Sequence, residues 1–477
     1  MLLALVLLPL AFAGLAFMSK SNQTRPWLLP IGAGVHLGMT AVVLFGRQSL
    51  FQGTYLGLDP LNRLVLGFIS VLFFLCSIYA KGYLALRPNQ PARIFTTSLF
   101  VFLGMLSLSV LAQHLGLMWV AVESCTLSSA PLLYFNQNRR SLEATWKYLL
   151  IGSVGIALAL LGSYFLSYSA LHGGMSTSLF FKDLVREAPY LSQPWLRAAF
   201  VVLFVGYGTK MGLAPMHSWK PDAYGEAPGV VGALLAGGLT TSAFLAVLRF
   251  FQICNAAGDA AYARKIMIVI GLLSMAVAAV FMVRQRDYKR MLAYSSVEHM
   301  GILILGVSIG GMGLYGSLLH AINNGLAKGV LFLTAANIHR AYGSKRVEDV
   351  RGAIRRLPAT GALFLAGFFA ITGSPPFGLF ISEFTILRAA IAGGHVGVAI
   401  TFLALLFIIF VGMSATVLSI VQGEPSEKAM SSKHKEGFAT VAPIMAFLGL
   451  VLILGVYVPP SLSAALWKAV AFIEMRP

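Results

Sequence analysis

Fourteen runs of apolar residues, each about the length needed to cross a bilayer, follow one another along this chain. A membrane-spanning helix needs about 20 mainly apolar residues. The runs fall near residues 1–18, 27–46, 61–80, 95–112, 114–134, 147–168, 198–218, 228–252, 265–283, 290–309, 312–338, 358–391, 396–421 and 439–457. Lipid cannot hydrogen-bond the backbone, so such runs fold as helices. The expected fold class is an all-α polytopic membrane protein with about 14 transmembrane helices.

Composition agrees. Apolar residues make up 58% of the chain and charged residues 11%, against about 25% charged in soluble domains. The net charge of +18 raises nucleic acid as a partner. The basic residues are scattered in short connections, however, as in membrane loops, and no nucleic acid is expected. Cys76, Cys125 and Cys254 are far apart and form no CxxC, which argues against an iron–sulfur or zinc site here. The first segment, "MLLALVLLPLAFAGLAFMSK", lacks the basic start of a cleaved signal peptide and is read as the first membrane helix. No soluble domain is expected. The longest polar stretches, near 172–197 and 422–437, are too short, and no long amphipathic extension is expected after the last helix.

Loop charge orients the chain. Odd-numbered connections carry Lys20 and Arg25; Lys81, Arg87 and Arg93; Arg139 and Arg140; Arg284, Arg286, Lys289 and Arg290; and Arg340, Lys345, Arg346, Arg351, Arg355 and Arg356. Even connections are mostly poorer. Lys182, Arg186 and Arg197 run against the trend, offset by Asp183 and Glu187. Odd connections are therefore expected in the cytoplasm and both termini on the other side.

Ionisable residues interrupt the apolar runs: Glu123, Lys210, Glu298, His299, His320, Lys328 and Glu383, with Lys147 at the start of the sixth. A charge at mid-membrane costs roughly 2.5–3.5 kcal/mol on insertion scales, so such residues usually face a cavity or a partner. Lys147 and Glu298 have the alternative of snorkelling from helix ends, and the histidines that of ordinary packing. Glu123, Lys210, Lys328 and Glu383 lie too deep for that explanation. Two of them sit beside helix breaks. Pro215 follows Lys210 by five residues, and "TGSPPFGLFISEF" places Pro375 and Pro376 seven residues or so before Glu383. Unwound backbone at membrane depth persists only where protein or water satisfies it. Broken helices about five spans apart point to inverted repeats around a pathway. The expected division is a three-helix segment over 1–94, a first five-helix repeat over 95–252, a second, inverted one over 253–421, and a last helix with the C-terminus over 422–477.

Burial disfavours an ammonium and a nearby carboxylate favours it. A buried lysine can therefore take up and release a proton as its partner moves, which an arginine cannot do. Acids and bases alternate in Glu123, Lys210, Lys328 and Glu383, and His320 adds a group that titrates near neutrality. Ser128, Ser129, Thr240, Thr241, Ser242, Asn323 and Asn324 are candidates to hold connecting waters. The set points to ion translocation.

Six motifs together carry a family resemblance. They are "WVAVESCTLSS" (Glu123), "SLEATWKYLL" (Lys147), "GYGTKMGLAPMHSWKPDAYGEAP" (Lys210), "KRMLAYSSVEHMG" (His299), "LLHAINNGLAKGVLFL" (His320, Lys328) and "GSPPFGLFISEF" (Glu383). From about residue 60 to 457 the chain resembles the antiporter-like membrane subunits of respiratory complex I, Mrp-type cation/proton antiporters and group 4 NiFe hydrogenases. Within that family it looks most similar to the F-type subunits of hydrogenase-4 and formate hydrogenlyase. The resemblance implies one proton route. Glu123 tunes Lys210 in one half-channel, Lys328 links the halves, and Glu383 sits at the mouth of the other. Lys147, His299 and His320 complete the proton-transfer set. It also implies a broken eleventh helix.

The resemblance further implies no cofactor or metal in this chain. The NiFe centre and iron–sulfur clusters would belong to partner subunits, in a soluble redox module beside other membrane subunits, in a bacterial inner membrane. No catalytic centre is expected, only a non-redox subunit of an oxidoreductase complex. Other readings are a multi-subunit Na⁺/H⁺ antiporter, a membrane subunit for inorganic-carbon uptake with a zinc-binding partner, and a scaffold whose channel has decayed. The chain departs from the family pattern in its eighth helix, "VVGALLAGGLTTSAFLAVLRF", where many relatives carry a bridging lysine or histidine and this one has none before Arg249.

Overall fold

Caps and glycines at the helix ends divide the long apolar stretches. The computed structural model describes residues 1–46, 53–87, 90, 92–175, 177–432 and 434–475. Its principal helices are α1 (Leu2–Met18), α2 (Leu28–Phe45), α3 (Pro60–Ala85), α4 (Ala92–Leu111), α5 (Leu115–Leu133), α6 (Arg139–His172), α7 (Gln193–Met211) and α8 (Trp219–Glu226). The chain continues through α9 (Gly229–Ala256), α10 (Ala260–Met282), α11 (Tyr288–Ile309), α12 (Met312–Tyr342), α13 (Pro358–Ile371) and α14 (Gly378–Ala392), then α15 (Val396–Val421), α16 (Phe438–Val456) and α17 (Pro460–Glu474). Among the described residues, ten of these are long and apolar enough to cross a membrane, namely α2 to α6, α9 to α11, α15 and α16. The protein is an all-helical, multi-pass membrane protein.

Burial sorts the helices. α9 is buried along its whole apolar window and α11 nearly so, while α15 turns Ile400, Phe407 and Val411 outward and α10 exposes Val269 and Val280. Apolar side chains on the outside suit lipid or a partner subunit rather than water. The polar residues gather inward, on α9, α11 and α12. Cys76, Cys125 and Cys254 are free and buried.

Small residues hold the centre together, because in lipid close backbone packing replaces the hydrophobic drive between helices. Gly155 of α6 lies against Thr209 and Gly206 of α7, and Gly162 lies against Leu203. A Cβ on Gly206 would stand 2.6 Å from Ala159 N and 2.7 Å from Gly155 O. Gly206→Ala is therefore expected to destabilise the protein by about 1–3 kcal/mol, the usual cost of overpacking. It should appear as a lower unfolding temperature of the detergent-solubilised protein.

Both helix breaks use a glycine in the left-handed region. α7 stops at Gly212, with φ of 79°, where Gly212 N and Leu213 N both donate to Gly208 O, at 2.8 and 2.9 Å. The unwound residues 212–218 are satisfied by the protein. The Trp219 indole donates to Thr209 O at 2.8 Å, and Ala214 N donates to Ser274 Oγ at 3.0 Å. α13 gives way at Gly373, with φ of 64°, and Ser374 N returns to Phe369 O at 3.0 Å. α14 resumes at Gly378, whose carbonyl accepts from Asn323 Nδ2 at 3.1 Å.

The eleventh segment departs from expectation. α12 runs unbroken from Met312 to Tyr342 through Asn323 and Asn324. Its Gly325 packs on Phe68 and its Gly329 on Phe447, and neither leaves the helical region. The irregular backbone lies in α9 instead, as a π-helical turn over Leu235–Leu239. Thr240 and Thr241 then donate their hydroxyls back to Ala236 O and Gly237 O, each at 2.5 Å. Such turns are frequent at functional sites.

Candidate functional site

The last turn of α7 delivers Lys210 into the protein interior, where it is fully buried. Its Nζ donates to Glu123 Oε2 of α5 at 2.8 Å and to Thr126 Oγ1, one turn further on, at 2.6 Å. Gly152 of α6 makes the space, since a Cβ there would come within 3.0 Å of that Nζ. Glu123 retains slight exposure, and Ser153 donates to its other oxygen at 3.4 Å. The acid is thus the partly accessible member of the pair and the base the sealed one.

Lys147 stands apart from this pair. Its side chain is half exposed and bonds Glu143 of its own helix at 2.7 Å and Asp222 of α8 at 2.9 Å. Asp222 also meets Arg290 of α11 at 3.2 Å. An exposed ion pair contributes about 0–1 kcal/mol, so Lys147→Ala is expected to leave the fold intact. It should also lower the initial rate of vesicle acidification less than loss of Lys210 does.

Lys328, at the middle of α12, is fully buried and donates to Ser295 Oγ at 2.8 Å and to Leu292 O at 3.2 Å. Glu298, one turn along α11, is buried too. It is not at a snorkelling helix end. A second cluster closes the row. His299 Nδ1 and His320 Nε2 share a hydrogen bond of 3.0 Å, and His320 Nδ1 meets Ser382 Oγ at 2.9 Å. Glu383 follows on α14, its carboxylate against Gly373 at the break. His299, His320 and Glu383 offer ligand atoms within 4.8 Å of one another. Two imidazoles and one carboxylate suit a transition ion better than Na⁺, and a hydrogen-bonded imidazole pair suits proton transfer equally.

Among the described residues, one cavity opens at each of the opposite sets of connections. One, of about 780 Å³, is lined by Arg87, Arg140, Arg286, Lys289, Arg290, Lys345 and Arg346, with Glu226, Asp287 and Asp349. It is strongly basic. The other, of about 1170 Å³, is lined by Asp59, Gln113, Lys182, Asp183, Arg249 and Gln252 among others. There Arg249, from the end of α9, pairs with Asp59 and donates to Asn62 Oδ1 at 2.9 Å.

Residues 112–408 match the family described as NADH:quinone oxidoreductase/Mrp antiporter, TM. The chain belongs to this family. It is an antiporter-like membrane subunit of the kind found across complex I, Mrp antiporters and hydrogenase-4. It is 32% identical over 472 residues, 96% of both chains, to a protein of Methylacidiphilum infernorum named hydrogenase-4 component F homolog. It is 31% identical to NADH-quinone oxidoreductase subunit N of Desulforudis audaxviator, covering 73% of this chain and 69% of that one. Its fold superposes on a chain of the Mrp complex from a Dietzia species with a TM-score of 0.87 at 19% identity, over 99% and 97% of the two chains.

The structure draws in residues that the sequence motifs left without a role. Lys220 is fully buried, as is Lys289, whose Nζ donates to Ala227 O at 2.6 Å. Both look like loop charges in the sequence, and only their packing separates them from the exposed ones. His36, within the second apolar run, is also buried, and meets Ser107 at 3.0 Å and Ser70 at 3.2 Å. A histidine inside an apolar run was the available signal for it.

Proposed function

We propose that this chain is the proton-translocating, antiporter-like subunit of a redox-driven membrane complex of the hydrogenase-4 type. The observation that carries the transport reading is the buried Lys210–Glu123 pair at 2.8 Å beside a helix break. The likeness to a hydrogenase-4 component F homolog over 96% of both chains favours that type of complex. Closing of the pair stabilises the ammonium, and parting of the pair releases a proton toward Lys328. Lys328 links the halves, and His299, His320 and Glu383 carry the second half to its mouth. Lys147, in contact with Asp222, serves the first half from its edge.

This reading takes fourteen spans, with α7 and α8 forming the seventh and α13 and α14 the twelfth. Spans four to eight and nine to thirteen are then the inverted repeats, within the divisions 1–94, 95–252, 253–421 and 422–477. Two likenesses support the pairing: each twelfth- or seventh-span break turns at a left-handed glycine, and each broken helix packs closely on a glycine of the preceding one, Gly155 for α7 and Gly316 for α14. Arg87, Arg140, Arg286 and Lys345, from four odd connections, surround one cavity. By the positive-inside rule that end faces the cytoplasm of a bacterial inner membrane, with both termini opposite.

Partner subunits would hold the NiFe centre, the iron–sulfur clusters and the electron donor. The test is to extract the native complex in mild detergent, identify each copurifying chain by mass spectrometry and assay nickel and iron. Hydrogenase-like and ferredoxin-like chains with nickel are expected. Small membrane subunits alone, without metal, would overturn the redox-driven reading in favour of a multi-subunit Na⁺/H⁺ antiporter. A large zinc-binding soluble chain would overturn it in favour of inorganic-carbon uptake.

A further inference from the structure

We infer that Lys220 is the proton-transfer residue that joins Lys210 to Lys328, in place of an ionisable group on α9. Lys220 lies on the first turn of α8, immediately after the unwound residues 212–218. One side of it faces the end of Lys210's helix, so closely that a Cβ on Gly212 would sit 2.9 Å from the Lys220 Nζ. On the other side its Nζ donates to Ser296 O of α11 at 3.4 Å. Lys328 reaches the same turn of α11 from α12, at Leu292 O and Ser295 Oγ. Lys220 thus stands between the helix that carries Lys210 and the turn that holds Lys328.

Its surroundings suit transfer better than structural anchoring. The side chain is wholly buried, yet no ion pair is found for it among the described residues. Its contacts are one long hydrogen bond to a carbonyl and the Tyr224 ring, 5.8 Å away. Lys289, a buried lysine outside the proposed route, is held harder, donating to Ala227 O at 2.6 Å. The titratable groups that interact with Lys220 are Lys328 of α12, His299 of α11 and His217 of the unwound stretch, with Tyr224 of its own helix. α9 carries Thr240, Thr241 and Ser242 and no ionisable residue before Arg249. In each step an N–H bond of the donor ammonium breaks and one forms on the next amine, through water in the unwound stretch. The proton goes from Lys210 to Lys220 and from there to Lys328, with no change of oxidation state.

The inference rests on the proton-route reading of Lys210, so Lys210→Ala is measured beside it. The probe is proton translocation by the whole complex in inverted membrane vesicles, driven by its own redox substrate. Lys220→Met keeps the length and removes the amine. Lys220→His keeps a group that exchanges protons but at lower pH. If the inference holds, Lys220→Met assembles and loses translocation, while Lys220→His retains part of it with its pH optimum moved to the acid side. Loss in Lys210→Ala with full translocation in Lys220→Met would overturn the inference alone. So would a Lys220→His complex with the wild-type pH profile, which decides the matter even where Lys220→Met does not assemble. Full translocation in Lys210→Ala would overturn both.

Discussion

Lys210→Ala is expected to abolish proton translocation while the protein still assembles. Positioned proton-transfer groups contribute about 100-fold or more to the steps they serve, and loss of that order leaves nothing measurable above passive leak. Assembly survives because the partner left behind is not sealed away without contacts. Glu123 keeps some exposure and a hydrogen bond from Ser153. Thr126 keeps a backbone partner in Val122 O at 3.4 Å. Glu123→Gln separates position from charge. It preserves side-chain volume and a hydrogen bond to Lys210 but removes the group that favours the ammonium, so transport should fall while thermal stability changes little. Acidification of inverted vesicles, with the amount of complex measured by blue native gel, reads both variants. Normal acidification in Lys210→Ala would leave the pair as packing alone.

Lys328→Arg is the second large effect, and the more telling because it conserves charge. The site holds its cation by one hydroxyl and one carbonyl, Ser295 Oγ and Leu292 O. Arginine would satisfy both, but a guanidinium does not release its proton at physiological pH. If Lys328 is needed as a fixed positive charge, Lys328→Arg works. If it passes protons between the half-channels, Lys328→Arg fails as completely as Lys328→Met, again by about 100-fold or more. Translocation per turnover of the redox partner decides between them, since it corrects for any change in the amount of complex. The expected result is failure of both variants.

Much of the architecture was legible because lipid imposes strict rules. Apolar length marked the spans, and glycine with proline marked both breaks, at Gly212–Pro215 and Gly373–Pro376. Glu123, Lys210 and Lys328 stood out because nothing else in their segments is charged, and Glu383 because it follows the break, with only Arg388 as a second charge in its segment. Orientation within a helix was not legible. Lys147 and Lys210 both come from apolar surroundings, yet one is half exposed and the other sealed, and only the packing of α6 on α7 decides which. Glu298 looked able to reach a helix end, but neighbours on all sides of α11 enclose it. Lys220 was hidden for the opposite reason. It sits between Pro215 and Pro221 beside His217 and Ser218, which in a sequence signals a loop, and the fold buries Trp219 and Lys220 at the end of that stretch. The eleventh motif suggested a break that phenylalanines from α3 and α16, packed on its glycines, make unnecessary.

The glycine contacts between α6 and α7 also limit how such a protein can work. Backbone meets backbone at Gly155 and Gly206 with no side chain between them to give way, so neither helix can slide as a piston past the other. Residues 212–218 are different, being held across the break chiefly by one indole and one hydroxyl. If the chain transports protons as proposed, its cycle turns on a hinge within a fixed frame, and a force from a neighbouring subunit would reach it as a small rotation of α8 rather than as a stroke along the membrane normal.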